Sequence, residues 1–391
     1  MRNDDRLLPA LVIVGPPDSR RVTAFADTAR RLAVGGVTVV SYLDAIEGNS
    51  PHLRPGTLVR LESPGGCPAT TRALIKAGIP AMEAEGGVPL RAREVDSLAC
   101  ERGEVLHPRQ WFLGLREVLH AIRSKWSGPQ IRWMSTPESI ITAFDKDACL
   151  NRWSRRGLPI PPRHSGISTY AELRRLIPRR HARVFIKLRY GYSAMGVVAL
   201  EWRDERVRAI TTVETAWANG RPRLFVTKRP RQLLREFEIA WLIDTLGMEQ
   251  IIVEDWLPKA RWQGRPYDLR IVMIGGRMCH VVGRANSSPF TNLNLDARRV
   301  PRDVVRQQLG DAWNSLEGLC EQAVSELPGA AMLALDVLVR PNRRKFALLE
   351  ANAFGDYLPG LLHEGLSTYE AQLKAVDLNA RKSTHQRRVP V

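Results

Sequence analysis

Two carboxylates and one amide form a chemically informative set near the end of the chain: Asp336, Glu350 and Asn352. They stand in two apolar runs that flank a polar segment within residues 333–352, a pattern that predicts two strands joined by a hairpin loop. Carboxylates that face each other across a hairpin repel, and a carboxylate inside an apolar run is costly to bury without a partner. Mg²⁺ would relieve both costs because it prefers oxygen ligands. A surface hairpin whose polar face lies in water is the alternative interpretation.

The register of this hairpin follows from one pairing. If Arg340 pairs with Phe346, the loop consists of residues 341–345, an ordinary hairpin length. Side chains repeat every two residues along a strand. The same register therefore places the two carboxylates directly opposite each other, and it places the amide on the same face, opposite Ala334.

Phosphate binding is a second chemistry that the sequence suggests. Lys187 lies in an apolar run that predicts a strand, and a loop with Gly191 and Gly196 follows it. Glycines let backbone N–H groups approach phosphates, and a lysine adds a positive charge. Another predicted strand ends at Glu254, which could meet a ribose or an adenine. Each feature alone is weak, because glycine-containing hairpins are common.

Asp268 and Arg270 share one face of a further predicted strand. Arg270 could bind a phosphate or a substrate carboxylate, and a surface ion pair of little energetic value is the alternative. Arg284 follows in the next strand. If residues 275–276 form a strict two-residue turn, Arg284 lies opposite Tyr267 on the other face. It would then need a β-bulge, or a departure from the strand, to reach the same site as Arg270.

The N-terminal part of the chain reads as strand, helix and strand, an order typical of α/β layers. The first predicted strand, residues 7–14, ends in a turn without the Gly-x-Gly-x-x-Gly pattern of dinucleotide-binding proteins. A later strand and turn carry Arg60 and Ser63, which could touch a substrate, although a plain turn explains them as well. Residues 127–129, Ser-Gly-Pro, predict a domain boundary.

Composition limits the class of protein. The chain has 391 residues and a net charge of +17, and its apolar runs are all too short to span a membrane. The charge could attract an anionic partner, but the excess is arginine spread along the whole chain, without a recognisable nucleic-acid module. The five cysteines are scattered without metal-ligand or redox spacing, so we expect reduced thiols in a cytoplasmic protein.

The order of these features resembles the ATP-grasp superfamily, in particular the branch that contains the ribosomal-protein glutamate ligase and glutathione synthetase. The residues that carry the resemblance are, in chain order, Asp145-Lys146, Lys187 with its loop from Gly191 to Gly196, Glu254, Asp268-Leu269-Arg270, Asn292, Asp336, Glu350 and Asn352. Each motif is modestly specific, and the ordered set is much more so.

The resemblance implies an α/β (α+β) protein with an ATP-grasp fold, in which two lobes clasp ATP, preceded by an N-terminal α/β pre-ATP-grasp domain. The expected units are the N-terminal domain (1–128), a small lobe with the glycine loop (137–211), a large lobe with the metal site (212–373) and a polar tail (374–391).

The resemblance also implies roles for individual residues. Expected nucleotide-binding residues are Lys146, Lys187, Gly191, Gly196, Glu254, Asp255, Leu257, Asp268 and Asn292. Expected ligands of Mg²⁺, with Mn²⁺ as a second possibility, are Asp336, Glu350 and Asn352. Arg270 and Arg284 would stabilise an anionic intermediate.

The implied activity is that of an ADP-forming carboxylate–amine or carboxylate–thiol ligase that works through an acyl phosphate. Its partners would be ATP, a small-molecule or peptide carboxylate and a nucleophilic acceptor, with no role for a membrane or a nucleic acid. The alternative is a non-catalytic nucleotide-binding or nucleic-acid-associated protein that keeps the fold, which the net charge motivates. The complete Asp/Glu/Asn set argues against this alternative.

Two departures concern the small lobe and the substrate side. Ala194 replaces a glycine that is frequent in the loop of the family, and extra residues separate the loop from Glu254. The segment after Asn352 lacks the usual proline-glycine turn. The resemblance therefore covers the nucleotide site better than the substrate site.

Overall fold

The computed structural model describes residues 10–32, 34–128, 130–218, 221–356 and 358–376. Parts of three sequence-based expectations lie outside these ranges: residues 7–9 of the first strand, residue 129 of the boundary and residues 377–391 of the tail. Residues 374–376, which we expected to be the start of the tail, belong to a helix over residues 368–376.

The first domain contains a four-stranded parallel sheet in the order β2-β1-β3-β4. Its strands are β1 (Leu11–Val14), β2 (Val37–Val40), β3 (Leu58–Leu61) and β4 (Arg132–Trp133). Its helices are α1 (Arg20–Arg31), α2 (Tyr42–Ile46), α3 (Pro68–Ala77), α4 (Ile79–Ala84), α5 (Ala92–Asp96) and α6 (Pro108–Lys125). Every residue of β1 and β3 is buried, as expected of parallel strands that are covered on both faces.

Two helices follow, α7 (Pro137–Phe144) and α8 (Lys146–Arg155). The carboxylate of Asp145 accepts hydrogen bonds from two backbone N–H groups and caps the N-terminus of α8. Gly157 lies just beyond the helix at a φ of +69°, the left-handed conformation in which helices commonly end. The cap positions Lys146 in the first turn of α8. Both helices pack with the large-lobe strands in the main hydrophobic core.

The small lobe is a six-stranded antiparallel sheet in the order β5-β10-β6-β7-β8-β9. Its elements are β5 (Arg163–His164), α9 (Tyr170–Leu176), β6 (His181–Leu188), β7 (Val198–Arg203), β8 (Arg206–Ala218), β9 (Arg221–Leu233), α10 (Glu236–Gly247) and β10 (Ile251–Asp255). Residues of α9 and α10 form one apolar cluster with one face of the sheet.

The expected boundary between residues 211 and 212 is wrong, because it falls inside β8 and the same sheet continues to Asp255. The extra residues before Glu254 form the β8–β9 hairpin and α10. This hairpin reaches the first domain, where Val105 donates a backbone hydrogen bond to Leu224 over 2.8 Å.

The large lobe is an antiparallel sheet in the order β14-β13-β12-β15-β16, with a short strand beside β12. Its elements are β11 (Arg261–Trp262), β12 (Arg265–Ile274), β13 (Arg277–Ala285), a 3₁₀ turn (Leu293–Leu295), β14 (Arg298–Val300), α11 (Arg302–Leu309), α12 (Ala312–Ser325), β15 (Met332–Val339) and β16 (Phe346–Asn352). Gly310, with a φ of +52°, separates α11 from α12. Among the helices of the described ranges, none combines the length and the apolar run that a membrane crossing needs.

Candidate active site

A cleft between the two lobes collects most of the predicted residues. The predicted site residues that line it are Lys146, Lys187, Gly191, Glu254, Asp255, Leu257, Asp268, Arg284, Asn292, Asp336, Glu350 and Asn352. Gly196 and Arg270 do not line it. An added Cβ at Gly196 would lie 2.4 Å from Leu188, so this glycine packs the loop onto the small lobe. Arg270 acts on the cleft through Asp336 instead.

Two lysines reach into the cleft from different elements. Lys187 of β6 forms an ion pair with Glu254 of β10, and the side chain of Glu254 is only 2% exposed. The Nζ of Lys146 donates to the carbonyl of Gly191 and lies 3.7 Å from the Oε2 atom of Glu350. Burial alone would lower the pKa of Lys187, but the carboxylates of Glu254 and Glu350 have the larger effect and raise the pKa above its ordinary value. The lysine therefore stays charged.

Four charged side chains of the large lobe form a buried network at the base of the cleft. We call this base the floor, and the four residues are Arg270, Arg284, Asp268 and Asp336. The Nε of Arg284 donates to Asp268 over 2.8 Å, and its Nη2 atom lies 3.1 Å from Asp336. Arg270 lies 3.0 Å from the other oxygen of Asp336. Breaking a buried ion pair leaves an uncompensated charge, so these groups hold one another in place.

The predicted pairing of Asp336 with Glu350 is confirmed, but the loop register is wrong. Val339, not Arg340, pairs with Phe346. A β-bulge at Leu349 then shifts the ladder by one residue and restores the pairing of the two carboxylates. Two one-residue departures thus cancel at the site.

A second bulge brings Arg284 to the floor. The two-residue turn forms as expected, but Cys279 is an extra residue in β13. Arg284 therefore lies opposite Asp268 and not Tyr267, on the face that carries Arg270. The expected pairing of Arg284 with Tyr267, which assumed a ladder without a bulge, is wrong. The β-bulge that would bring Arg284 to the face of Arg270 is present.

The paired carboxylates have different proton affinities. Burial raises the pKa of Asp336 to about 6, and Glu350 adds to this rise while Arg270 opposes it. Burial also acts to raise the pKa of Glu350, but Lys146 and other nearby cations lower it to about 2. Glu350 is therefore the carboxylate of the pair that the neighbouring cations keep ionised.

The donor set of the predicted metal site suits a hard cation. Within the described ranges, no group of three histidine, cysteine, aspartate or glutamate side chains is arranged around one metal position. The predicted set has two carboxylates and the amide of Asn352, which donates a hydrogen bond to the carbonyl of Ala334 over 3.4 Å. The buried Oδ1 atom of Asp336 faces Nη1 of Arg270 at 3.0 Å, but among the described residues it accepts no hydrogen bond of good geometry. Oxygen donors of this kind fit Mg²⁺, which retains waters and substrate oxygens as further ligands.

Sequence reasoning missed Lys259. Its Nζ lies 3.1 Å from Asp268 and donates to Thr291 over 2.7 Å. Burial lowers the pKa of Lys259, while Asp268 opposes this effect. The only local signal was its position just after the strand that ends near Glu254.

The first domain also contributes to the cleft, through Arg21, Ser63 and Gly65. Ser63 and Arg60 were considered able to touch a substrate, although a plain turn was the preferred interpretation. Arg60 is only 1% exposed and does not line the cleft. Its guanidinium pairs with Glu62 instead.

The arrangement of a parallel first domain, an antiparallel small lobe and an antiparallel large lobe around one cleft is that of the ATP-grasp ligases. The chain has the ATP-grasp fold, and the solved structures of the ATP-grasp ligase PsnB align with almost all of it. PsnB complexed with a minimal precursor has a TM-score of 0.52 at 14% sequence identity, covering 96% of this chain and 100% of PsnB.

Two further PsnB complexes extend this likeness of fold. The complex with a phosphomimetic variant of the minimal precursor, Mg and ADP has a TM-score of 0.52 at 13% identity, over 96% of this chain and 100% of that chain. The complex with the precursor peptide PsnA2 and AMPPNP has a TM-score of 0.50 at 13% identity, over 96% and 98%. No model of a known protein family matches the sequence, and no curated protein does.

Proposed function

We propose that the protein is an ATP-dependent, ADP-forming ligase that activates a carboxylate as an acyl phosphate and transfers the acyl group to an amine or a thiol. The observation that carries this proposal is the meeting of lysines and carboxylates across the cleft. Lys146 lies 3.7 Å from Glu350, which lies opposite Asp336, and Lys187 pairs with Glu254 and is close enough to Glu350 and Asp336 for their charges to raise its pKa. Such a site suits phosphoryl transfer, in which catalysis is mostly positioning and charge neutralisation.

Each set of residues has a role in this proposal. Lys146 and Lys187 bind phosphate oxygens of ATP. Asp336, Glu350 and Asn352 would hold Mg²⁺, which would supply positive charge to neutralise the phosphates. Glu254, Asp255 and Leu257 contact the nucleotide base and ribose, and Asp268 and Asn292, which line the same cleft, complete the nucleotide site.

Arg270 and Arg284 stabilise negative charge that develops on the acyl group and the transferred phosphate. Arg284 lines the cleft directly, whereas Arg270 acts from behind Asp336. Asp268 and Asp336 fix the two guanidinium groups before the substrate arrives, so little reorganisation is needed during the reaction.

The carboxylate is proposed to belong to a peptide or a small molecule. The likeness of fold to PsnB, whose complexes contain a precursor peptide, supports a peptide as one option. The cysteines at the described positions are free, which supports the proposed cytoplasmic location.

A non-catalytic nucleotide-binding protein is the competing function, and trapping of the intermediate separates the two. The protein is incubated with Mg-ATP and pools of peptides or metabolites, with hydroxylamine added to capture acyl phosphates as hydroxamates. We expect ADP release together with hydroxamate formation in at least one pool, and neither with Glu350→Gln. Nucleotide binding without ADP formation in any pool would favour the non-catalytic alternative.

A further inference from the structure

One wall of the cleft belongs to the first domain. The turns after β1 and β3 lie at the carboxyl ends of adjacent parallel strands, the edge at which open α/β sheets bind ligands. Arg21, in the first turn of α1, reaches the cleft together with Ser63 and Gly65 of the turn after β3. This wall stands apart from the lysines and the metal-ligand set that serve ATP in the proposed function.

Three charged side chains form an ion-paired row in the first-domain wall: Arg21, Glu62 and Arg60. The Nε and Nη2 atoms of Arg21 lie 2.9 and 2.8 Å from Oε1 of Glu62, and the Oε2 atom of Glu62 lies 2.8 Å from Arg60. Arg60 donates to Gln372 over 2.8 Å, and its guanidinium lies 3.9 Å from the ring centre of Phe25. Both oxygens of the central carboxylate are therefore occupied by arginines.

This row of three side chains carries one excess positive charge, because two arginines share one carboxylate. Glu62 and Arg60 are buried, with side-chain exposures of 1% each, whereas the Arg21 side chain is 28% exposed. A free anion can therefore reach this row of side chains only at Arg21. Burial of an uncompensated charge is costly, so an anion bound at Arg21 would complete the charge balance.

The other ion pairs at the cleft are balanced in charge without a further anion. They join five cations, Lys146, Lys187, Lys259, Arg270 and Arg284, with five carboxylates, Glu254, Asp268, Asp336, Glu350 and Asp356. The excess charge of the first-domain wall therefore adds to a balanced set, and Asp356 is the carboxylate of that set that acts on Arg21.

The strand that carries the metal ligands also connects the wall to the floor. The carbonyl of Phe354 accepts a hydrogen bond from Arg21 over 2.6 Å. Two residues further on, Asp356 lies 3.2 Å from Arg270. Arg21 and Arg270 are therefore both tied to the segment that follows Asn352, and residues 352–355 of that segment line the cleft between the first-domain wall and the floor.

We propose that Arg21 binds a second carboxylate of the acid substrate, next to the carboxylate that is activated on the floor. The inference rests on the proposed ligase function and specifies its substrate class as a molecule with two neighbouring carboxylates. Glu62 and the carbonyl of Phe354 occupy Nε and Nη2 of Arg21, which leaves the two N–H groups of Nη1 to donate charge-assisted hydrogen bonds to a carboxylate. The second carboxylate could come from an acidic side chain of a peptide or from the α-carboxylate of a free amino acid.

Two pairs of probes test the inference and distinguish these sources. The first pair is a blocked dipeptide amide of two glutamates and its counterpart in which the second residue is glutamine. The second pair is free glutamate and isoglutamine. Binding of each probe to the protein loaded with Mg²⁺ and AMPPNP is measured by calorimetry, for the wild type and for Arg21→Gln, Arg21→Lys and Arg30→Gln.

In at least one pair, we expect the wild type to prefer the doubly charged probe by about tenfold to hundredfold, the range of charge-assisted hydrogen bonds. Arg21→Gln should abolish this preference, and Arg21→Lys should retain part of it. The matched control Arg30→Gln lies on the same helix and pairs only with Asp27 among the ion pairs of the described residues, so it should keep the full preference. A ratio of two affinities within one variant does not move when the variant is merely less stable.

The outcomes separate this inference from the proposed function. If AMPPNP fails to bind the wild type, the ligase function is wrong and the inference falls with it. If AMPPNP binds but neither pair shows a preference, or Arg21→Gln keeps the preference, only the inference about Arg21 is overturned.

Discussion

At the scale of single residues, the charges of the cleft are buried in pairs, so each substitution has two effects. Lys187 is 15% exposed and its partner Glu254 is 2% exposed. The second oxygen of Glu254 lacks a hydrogen-bond donor among the described residues. Removing the lysine therefore removes a phosphate ligand and also leaves a buried carboxylate without its cation.

We expect Lys187→Met to lower the free energy of unfolding by about 3 kcal/mol, the lower end of the cost of breaking a buried pair. Lys187→Met combined with Glu254→Gln should regain most of that loss, because it removes the stranded charge. Both variants should bind Mg-ATP more weakly than the wild type. Chemical denaturation and calorimetry measure the two quantities, and normal ATP affinity in the double variant would exclude Lys187 as a phosphate ligand.

Glu350→Gln is the test of the metal site, because it keeps the shape of the side chain and removes its charge. Lys187 retains Glu254, and Lys146 retains the carbonyl of Gly191, so we expect the variant to stay folded. ADP formation should fall by about 100-fold or more, since even residues that only support metal ligands cost 10- to 100-fold.

Addition of Mg²⁺ alone should raise the melting temperature of the wild type and leave that of Glu350→Gln unchanged. Glu364→Gln, whose side chain is 83% exposed, is the matched control and should respond to Mg²⁺ as the wild type does. An equal response of Glu350→Gln would mean that the cation binds elsewhere.

At the scale of elements, the glycine loop depends on two different properties of glycine. Gly196 has a φ of +65°, and an added Cβ would clash with Leu188. Gly191 has no positive φ, and its carbonyl accepts from Lys146. Ser193 and Ala194 also adopt positive φ values of 51° and 61°, so the replacement of the usual loop glycine by Ala194 is accommodated at the cost of some backbone strain.

Gly196→Ala and Gly157→Ala separate backbone strain from packing. Both residues have similar positive φ values, but an added Cβ at Gly157 meets no atom within 4 Å. We expect Gly157→Ala to cost about 1 kcal/mol of stability with unchanged ATP affinity. Gly196→Ala should cost more and should weaken ATP binding, because the loop must shift away from Leu188. Denaturation and calorimetry test both variants, and equal ATP affinities would show that the loop position does not affect the nucleotide.

At the scale of the whole molecule, three sheets meet around one cleft, and most of its contacts join distant parts of the chain. Lys146 precedes the small-lobe sheet yet contacts Glu350 of β16, and Arg21 of the first domain contacts Phe354. A ligand that bridges these units should therefore stabilise the molecule as a unit, because it binds only when they are assembled.

Mg-ATP at a hundredfold excess over its dissociation constant should stabilise the native protein by about 2.7 kcal/mol. The rise in melting temperature should disappear when EDTA removes the metal, and it should be reduced in Lys187→Met/Glu254→Gln. Thermal denaturation followed by circular dichroism measures it. An unchanged melting curve in millimolar Mg-ATP would contradict the assignment of the cleft to ATP.

The sequence alone determined the features that depend on near neighbours. The hairpin that carries Asp336 and Glu350 and the two-residue turn before β13 follow from local patterns, because hairpins form between residues close in the chain. The order of these patterns also predicted the ATP-grasp fold, which the structure confirms.

Only the tertiary structure decided the bulges at Cys279 and Leu349, which place Arg284 and Glu350 on the floor. A bulge does not follow from strand periodicity, since it depends on how a strand packs against both of its neighbours. The Arg21–Glu62 pair and the contact of Arg21 with Phe354 were equally out of reach. The latter joins residues 333 positions apart, and no local pattern encodes a contact whose geometry arises from the packing of separate sheets.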